Sequence, residues 1–346
     1  MAVQLTVPAA DGGRRAARRR DGPVARSGRL AGRVALSLLQ AVVVAVGATS
    51  AVFLLMRLIP GDPARILAGP GGSVTEEQIA MTRRELGLDD PLPVQYWDWI
   101  TAAARGDFGT SLVLGETVSD LLGDRLVVTA QLSAYSFWLA VALAIPVSVA
   151  AARWQGAAAD RAARLVGSTG IAVPSFWLAL LLIIVFQGYL PIFGYVPASE
   201  SLVDHVVHMI LPAVALGAGF AALVFETNRA GLVETLGSDY VRTARAFGIP
   251  EWRVFGRYAL RNAFLPTLTI MGIQAGALMS GALLVENAFA LPGMGRLIVQ
   301  GVLSRDYPVV QACILVIVVI FVVVNLLMDV IYALVDPRVR RSRGRA

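Results

Sequence analysis

Few side chains in this 346-residue sequence have the type and spacing that chemistry needs. His205 and His208 stand three residues apart, so on a helix they would share one face and could ligate a metal ion. Asp204 is the only further ligand beside them, which favours a structural or interfacial role for the pair. Cys313 is the single cysteine and lies inside an apolar run, which excludes disulfides and cysteine-based metal clusters.

The basic side chains exclude several classes of enzyme. All 30 basic residues are arginines, so no lysine exists for a Walker A phosphate loop, a Schiff base or a catalytic ammonium group. No His-Glu-x-x-His zinc motif occurs, and Gly167-Ser168-Thr169-Gly170 lacks the Gly-x-Ser-x-Gly pattern of a hydrolase nucleophile. We therefore predict that the chain is not an enzyme and has no catalytic residue, no metal site and no cofactor of its own.

The composition is that of a membrane protein. Hydrophobic residues make up 56% of the chain and charged residues 16%, whereas a soluble domain carries about 25% charged residues. Because about 20 apolar residues cross a bilayer and a charge at its centre is costly, each long uncharged window predicts one transmembrane helix. The third window is longer than one span needs, and we place a loop after Tyr189, where prolines and a glycine break the helix. The six windows are Val34 to Met56, Leu126 to Ala152, Leu165 to Ser199, His205 to Phe225, Asn262 to Val285 and Tyr307 to Met328.

The arginines predict the orientation, since loops that retain positive charge stay in the cytoplasm. Placing both termini inside puts 22 arginines in inner segments and 8 in outer ones. The first window has 23 residues, longer than the core of about 7 to 15 residues in a signal peptide, and so predicts a retained helix. The basic tail over residues 1–33 is predicted to be disordered and to set the topology. Contact with anionic lipid is the alternative role for this tail, and nucleic-acid binding is disfavoured because no folded basic module accompanies it.

The outer connection over residues 60–125 is longer than a loop needs and carries its own helical signals. Thr75-Glu76-Glu77-Gln78 has the spacing of a capping box, which predicts a helix to Leu86 that stops at Gly87. A second helix is predicted from about Pro93 to Gly106.

Aromatic residues give this outer insertion a possible partner surface. The second helix is expected to place Val94, Trp97 and Ile100 on one face. The insertion is either a decoration without further function or a surface on which an external protein docks. The candidate docking residues are Tyr96, Trp97 and Trp99.

The inner connection over residues 226–261 is the second long loop and holds six arginines. Helix-forming residues run from Asp239 to Phe247, Gly248 and the proline two residues later force a turn, and a helix resumes at Trp252. A solvated basic loop would not need Phe247, Ile249 and Trp252 at its tip. The pattern therefore predicts a helix-turn-helix that is joined stiffly to the fifth membrane helix and receives a push from a partner.

Small residues in the fifth window predict a close helix contact. Gly272, Gly276 and Ser280 repeat every four residues, and Gln274 and Met279 flank them. Helix packing is the default interpretation, and a translocation path is the functional one. Other polar residues are predicted to form interhelical hydrogen bonds (Gln131, Gln187, Asn325), to lie at the outer end of the fifth helix (Glu286, Asn287) or to pair with an inner arginine (Asp329).

Two runs in and after the inner connection make a family resemblance specific. Asp239-Tyr240-Val241-Arg242-Thr243-Ala244-Arg245-Ala246-Phe247-Gly248 and Arg257-Tyr258-Ala259-Leu260-Arg261-Asn262-Ala263-Phe264-Leu265-Pro266 resemble the cytoplasmic loop of bacterial ATP-binding-cassette importer permeases. The likeness is greatest to the B-type subunit of the dipeptide/oligopeptide/nickel branch. The general pattern begins Glu-Ala-Ala, and this chain has Arg242-Thr243-Ala244 there, as in the peptide branch. Further segments similar to that branch are Ile59-Pro60-Gly61-Asp62-Pro63, Leu86-Gly87-Leu88-Asp89-Asp90-Pro91, Gly106-Asp107-Phe108-Gly109, Pro174-Ser175-Phe176-Trp177 and Leu291-Pro292-Gly293-Met294-Gly295.

The resemblance implies a fold and a set of partners. The fold is an all-α polytopic membrane protein, a type I importer permease with six transmembrane helices, cytoplasmic termini and a helical outer insertion. The expected partners are a homologous C-type permease, two ATPase subunits that bind ATP and magnesium, an external solute-binding protein and the lipid bilayer of a bacterial plasma membrane. The implied divisions are a tail over 1–33, a first helix over 34–59, the insertion over 60–125, a permease core over 126–336 with its coupling loop over 226–261, and a tail over 337–346.

The resemblance also implies a function. The chain would form the translocation path for di- and oligopeptides, with nickel or glutathione as the alternative cargo of the same machinery. An ion-coupled secondary transporter is the alternative from a different class, and the uncharged windows argue against it. The residues implied to receive the ATPases are Arg242, Thr243, Ala244, Arg245, Ala246, Phe247, Gly248, Ile249, Pro250 and Trp252.

Overall fold

The computed structural model describes residues 23–58, 75–85 and 87–335, and within these ranges the chain is helical with two isolated β-bridges. The segment at Ile59 to Pro63, Leu86 as the end of the first insertion helix, and the predictions for residues 1–22 and 337–346 lie outside the described residues, as does the side chain of Asp329. The helices are α1 (Pro23–Leu58), α2 (Glu76–Glu85), α3 (Leu92–Ala103), α4 (Val118–Arg153), α5 (Ala158–Ala172), α6 (Ser175–Phe186), α7 (Leu202–Leu236), α8 (Asp239–Ala246), α9 (Glu251–Arg253), α10 (Leu260–Ala288), α11 (Met294–Ser304) and α12 (Tyr307–Val335).

Four helices among the described residues are long and apolar enough to cross a membrane. They are α4, α7, the continuous stretch Glu251–Ala288 that ends in α10, and the Tyr307–Met328 part of α12. Each contains one of the uncharged windows, so the windows located these spans correctly. The first window falls in α1, whose apolar part with described side chains is Val42–Leu58.

The first helix begins earlier than the sequence predicted. α1 starts at Pro23 rather than at Val34, since proline is well suited to the first turn of a helix and no helix breaker follows except single glycines. The chain divides into two units at Gln40, and the contacts described below all lie in the second unit, from Ala41 onward.

The third predicted span is broken, which corrects the expectation of one helix up to Tyr189. α5 and α6 meet at a bend of 112°. Val173 has extended torsions of φ −83° and ψ 121°, because the ring of Pro174 disfavours helical torsions in the residue before it. Pro174 therefore ends α5 and caps α6 instead of lying inside a continuous helix.

The fourth helix is longer than predicted, and the inner loop is correspondingly shorter. α7 continues past Phe225 to Leu236, whereas the sequence predicts a connection that begins at Glu226. Arg229 is compatible with a continuous helix because arginine is a good helix former, and its guanidinium is bonded to Asp160 of α5. The helix breaks only at Gly237.

The two helices of the outer insertion form where the sequence placed them. α2 follows Thr75, and the turn after it passes through Gly87 with a positive φ of 61°. Val94 and Trp97 of the predicted face of α3 are exposed. The helix instead packs through Tyr96, which lies edge-on to Phe53 of α1 at 5.4 Å between ring centroids.

The core forms around α7, which packs against α4 and α10. A methyl group on Gly217 would lie only 2.8 Å from the carbonyl oxygen of Ser136, so the backbones of α7 and α4 touch there. Asn228 of α7 is buried and donates to the Ser148 hydroxyl of α4 at 2.7 Å. Its amide oxygen accepts from Thr267 of α10 at 3.2 Å. One amide group thus links three membrane helices.

Gly217→Ala is expected to destabilise the protein, because the added methyl group meets backbone rather than a movable side chain. Forced overpacking of this kind costs about 1–3 kcal/mol. The measurement is the midpoint of heat denaturation of the full chain in nanodiscs. Gly123→Ala in α4 is the matched control, since nothing lies within 4 Å of its added methyl group. Equal midpoints for both variants would contradict the close contact of α4 with α7.

Candidate functional site

The turn between α8 and α9 has the helix-turn-helix geometry that the sequence predicted. Phe247 follows the last turn of α8, and Gly248 has a left-handed φ of 72° that a β-branched residue would adopt only with strain. Pro250 then caps α9. The side chain of Phe247 is 81% exposed and that of Trp252 is 69% exposed, so two aromatic rings project from one short turn.

The turn is held rigid while its aromatic tip stays free. Arg245 and Glu251 form an ion pair across the turn with an N to O distance of 2.7 Å. At the base, the Asn262 amide donates to the hydroxyl of Tyr240 at 2.8 Å. Val241 of α8 is completely buried. We call the segment from Arg242 to Trp252 the coupling turn.

The coupling turn leads into a membrane helix without a loop. A π-helical segment, Val254–Ala259, joins α9 directly to α10. Val254 and Ala259 are fully buried, and the Arg153 guanidinium of α4 lies 5.7 Å from the ring centre of Phe255. Helical backbone therefore runs without interruption from the turn into α10.

The residues of the coupling turn differ in their surroundings. Ala244 of α8 is buried and Ile249 is half-buried, so neither belongs to the exposed tip. The Arg253 guanidinium lies 4.9 Å from the ring centre of Trp252. The members of the predicted set that are exposed are Arg242, Thr243, Arg245, Ala246, Phe247, Gly248, Pro250 and Trp252.

A buried ion pair joins α5 to α7. Arg229 of α7 donates to both carboxylate oxygens of Asp160, at 2.6 and 2.8 Å. The Asp160 side chain is 2% exposed and also accepts from the backbone N–H of Gly156. Gly167 of α5 lies against Phe225, where a methyl group would come within 2.9 Å of the ring. These contacts fix α5 on the inner extension of α7.

Two small residues of the fifth span pack against another helix, and the third is exposed. Gly272 faces Met328 of α12, and Gly276 faces Phe321, with room for no side chain on Gly276. The four-residue repeat thus marks the contact of α10 with α12. Ser280 continues the repeat in sequence but is exposed, because successive four-residue steps drift around the helix. Of the flanking residues, Gln274 is half-buried and Met279 is buried.

The three aromatic candidates for docking an external protein do not form one surface. The Tyr96 hydroxyl lies 2.9 Å from the Thr49 hydroxyl of α1, and Trp99 packs beside Tyr96 at 6.1 Å between ring centroids. Trp97, at 66% exposure, is the member that faces solvent.

Sequence analysis missed the importance of Glu286, whose carboxylate is completely buried at the end of α10. The hydroxyl of Thr129 donates to one of its oxygens at 2.6 Å, and the N–H of Gly295 donates to the other at 2.7 Å. The N–H of Met294 donates to Thr129 in turn, at 2.8 Å. The carboxylate therefore caps the N-terminus of α11, where a negative charge is stabilised. The sequence signal for this site is the segment from Leu291 to Gly295. A side chain on Gly293 would collide with the carboxylate, so the glycine leaves room for it.

A second buried acid anchors the insertion. Asp306, between α11 and α12, accepts from the hydroxyl of Ser111 and from the N–H of Leu112 at 3.2 Å. This contact links the loop before α4 to the start of α12.

The histidines and the remaining polar candidates serve local contacts. His205 is buried between the rings of Tyr135 and Tyr195, and its Nδ1 lies 2.7 Å from the carbonyl of Val196. Tyr195 donates to the side-chain oxygen of Gln131 at 2.9 Å. The Nδ1 of His208 lies near the carbonyl of Asp204. Gln187 ends α6. The Asn287 amide donates to the carbonyl of Leu283. Asn325 corrects a prediction, because its amide donates to Phe321 of its own helix rather than across an interface.

Comparison with known proteins decides the family. Residues 144–341 match the family described as binding-protein-dependent transport system inner membrane component, and residues 33–133 match the N-terminal family of the same systems. The chain belongs to this family of transport permeases. It is 42% identical over 292 residues to the glutathione transport system permease protein GsiC of Salmonella typhimurium strain LT2, an alignment that covers 84% of this chain and 92% of the relative. It is 39% identical to the probable peptide ABC transporter permease protein y4tP of Sinorhizobium fredii, over 84% of this chain and 93% of that protein.

Membership establishes several of the expectations drawn from the sequence. The permease is a non-catalytic, multi-pass component of a binding-protein-dependent ABC importer in the bacterial plasma membrane. It works with ATPase and solute-binding subunits. Energy from ATP must therefore enter the permease from outside its own chain.

Asp160→Asn is expected to destabilise the permease strongly, since it leaves the buried guanidinium of Arg229 without its counter-charge. Breaking a buried pair costs about 3–5 kcal/mol, whereas an exposed pair contributes about 0–1 kcal/mol. Asp239→Asn is the matched control, because Asp239 pairs with Arg242 on the surface at 98% exposure of the Asp239 side chain. Heat denaturation in nanodiscs should separate the two variants. A loss for Asp239→Asn as large as that for Asp160→Asn would show that burial of the pair is not what matters.

Proposed function

We propose that this permease forms one half of the translocation path for short peptides, with a homologous C-type permease as the other half and two ATPase subunits on the cytoplasmic side. The observation that carries this proposal is the 39–42% identity, along almost the whole permease, to proteins named for glutathione and for peptide transport. Glutathione is itself a tripeptide, so both names describe cargo with amide bonds and charged ends. Glutathione is the second candidate cargo for this reason, and nickel is the alternative outside peptides.

The exposed tip of the coupling turn supports its assignment as the ATPase contact. The aromatic rings of Phe247 and Trp252 are exposed to water, which is unfavourable. Burial of these rings against a partner would contribute favourable binding free energy. Anchors of this kind carry much of the energy of an interface. Arginines flank the tip, so a cleft with apolar walls and an acidic rim on the ATPase would complement it.

The route from the ATPase to the path runs along α10. One face of α10 packs against α7 and α12, whereas the opposite face is exposed over the whole membrane span. The exposed residues follow a helical spacing of three and four, which makes one continuous stripe. We assign this stripe to the path and to the contact with the second permease, so that closure of the ATPases tilts α10 and alternates access. The stripe consists of Asn262, Pro266, Thr269, Ile273, Ala277, Ser280 and Leu284.

The buried acids favour ATP-driven over ion-coupled transport. Asp160, Glu286 and Asp306 each accept hydrogen bonds from groups of the permease itself. Each carboxylate is thereby engaged in fixing one element on another. A secondary transporter would instead need a buried acid that binds and releases the coupling ion.

Uptake by the reconstituted importer tests the cargo. Vesicles that contain the purified complex and its binding protein are expected to accumulate labelled trialanine when supplied with ATP, and not nickel. Glutathione in place of trialanine separates the two peptide candidates. Accumulation of nickel with neither peptide taken up would contradict the proposal.

Phe247→Ala is expected to lower uptake per ATP hydrolysed, or to reduce the ATPase retained through purification, because it removes the exposed anchor of the coupling turn. Losing such an anchor costs about 2 kcal/mol or more in binding, roughly a 30-fold change. Phe193→Ala is the matched control, since Phe193 is also exposed but lies in the connection between α6 and α7, on the predicted outer side. Normal coupling and normal ATPase retention in Phe247→Ala would show that the turn is not the contact.

A further inference from the structure

A cavity lies between the outer insertion, the end of α1 and the start of α12. Its volume is about 330 Å³, within the range of about 300–1,000 Å³ that small-molecule sites occupy. Phe53 and Arg57 of α1 form one wall, and Trp99 of α3 forms another. Tyr307 and Gln311 of α12 close the far side. We call this cavity the insertion pocket.

Two buried donors of the insertion pocket have no partner in the described part of the chain. They are Arg57 Nε and Trp99 Nε1. Tyr307 and Gln311 add a hydroxyl and an amide to the lining. Buried polar groups are otherwise almost always paired, and each unpaired one costs about 1–3 kcal/mol. Two unpaired donors on one cavity wall are expected where a ligand or water completes the bonding.

The charges of the insertion pocket are arranged in two parts. Arg57 is the cation of the wall, half-buried over the ring of Phe53 at 4.6 Å, and it has no ion pair among the described residues. Its Nη2 donates to Gln95, which leaves Nε free. Three exposed aspartates contribute negative charge to the same lining without an ion pair to any described residue. They are Asp90, Asp98 and Asp107.

We propose that the insertion pocket binds a short peptide in its zwitterionic form, with the free carboxylate at Arg57 and the free amino group at the aspartates. A guanidinium beside a hydroxyl and an amide is a donor set suited to a carboxylate. The volume limits the ligand to a small solute. This inference rests on the proposed peptide cargo and names a place where the permease itself contacts it.

Titration of the permease without its binding protein tests the pocket. The full chain, purified in nanodiscs with the subunits that copurify, is titrated calorimetrically with trialanine, N-acetyl-trialanine and trialanine amide. Trialanine is expected to bind more tightly than either blocked peptide. Arg57→Gln should weaken trialanine binding about tenfold or more and remove the preference for trialanine over its amide. Arg105→Gln is the matched control, because Arg105 is an exposed arginine of the insertion outside the pocket lining and should leave binding unchanged.

A second variant keeps the test independent of the structural role of Arg57. Asp98 is exposed and its carboxylate makes no hydrogen bond to a described residue, so Asp98→Asn should fold normally. It is expected to weaken binding of trialanine while leaving binding of N-acetyl-trialanine unchanged, because the acetylated peptide has no ammonium group. Asp124→Asn serves as its control, because Asp124 is also an exposed acid and lies near the start of α4.

Three results would overturn the insertion pocket: no saturable binding by the wild-type permease, equal affinity for blocked and free peptides, or equal affinity in the Arg57 and Arg105 variants. The proposed function is judged separately by uptake. Trialanine uptake without binding in this titration would contradict the proposed peptide site in the insertion pocket and would still support peptide transport. Binding that depends on Arg57 and Asp98 in a complex that takes up nickel and no peptide would support the pocket and contradict the transport proposal.

Discussion

The amide of Asn228 is the interaction on which the rest of the membrane bundle depends. It is completely buried and bonded at both ends, to Ser148 and to Thr267. A polar group in such surroundings is expensive when unpaired, so it fixes the rotation and depth of three helices at once. Gly217 and Gly231 on the same helix bring its backbone against α4 and α10, which makes α7 the centre of the permease.

Charged groups then secure the two ends of this bundle. At one end the pair of Asp160 and Arg229 holds α5 on the extension of α7. At the other, Glu286 fixes the start of α11, and Asp306 fixes the loop that leads into α4. These acids have backbone and hydroxyl donors as well as charge, which repays the desolvation of a buried carboxylate. A rigid body of this kind can be tilted as a whole by force applied at one edge.

The exposed surfaces are those of one subunit of a larger complex. The coupling turn presents two aromatic rings, and α10 leaves one stripe uncovered along its length. The π-helical segment between them keeps the turn and the stripe on one continuous backbone. An importer permease needs this separation, because ATP is hydrolysed in one protein and solute passes through another. In the function proposed above, the turn receives the force and α10 carries it toward the membrane.

The sequence by itself determined the features that local chemistry controls. Uncharged length located four spans, Gly248 and Pro250 located the coupling turn, and the capping pattern at Thr75 located α2. Tertiary structure decided what depends on a distant partner. The pairing of Arg229 on α7 with Asp160 of α5 and the contact of Tyr96 on α3 with Phe53 of α1 join residues far apart in the sequence. The roles of Glu286 and of the unpaired groups around Arg57 also depended on the tertiary structure, because a carboxylate or guanidinium in a sequence does not reveal which donors, or which empty space, folding will place beside it.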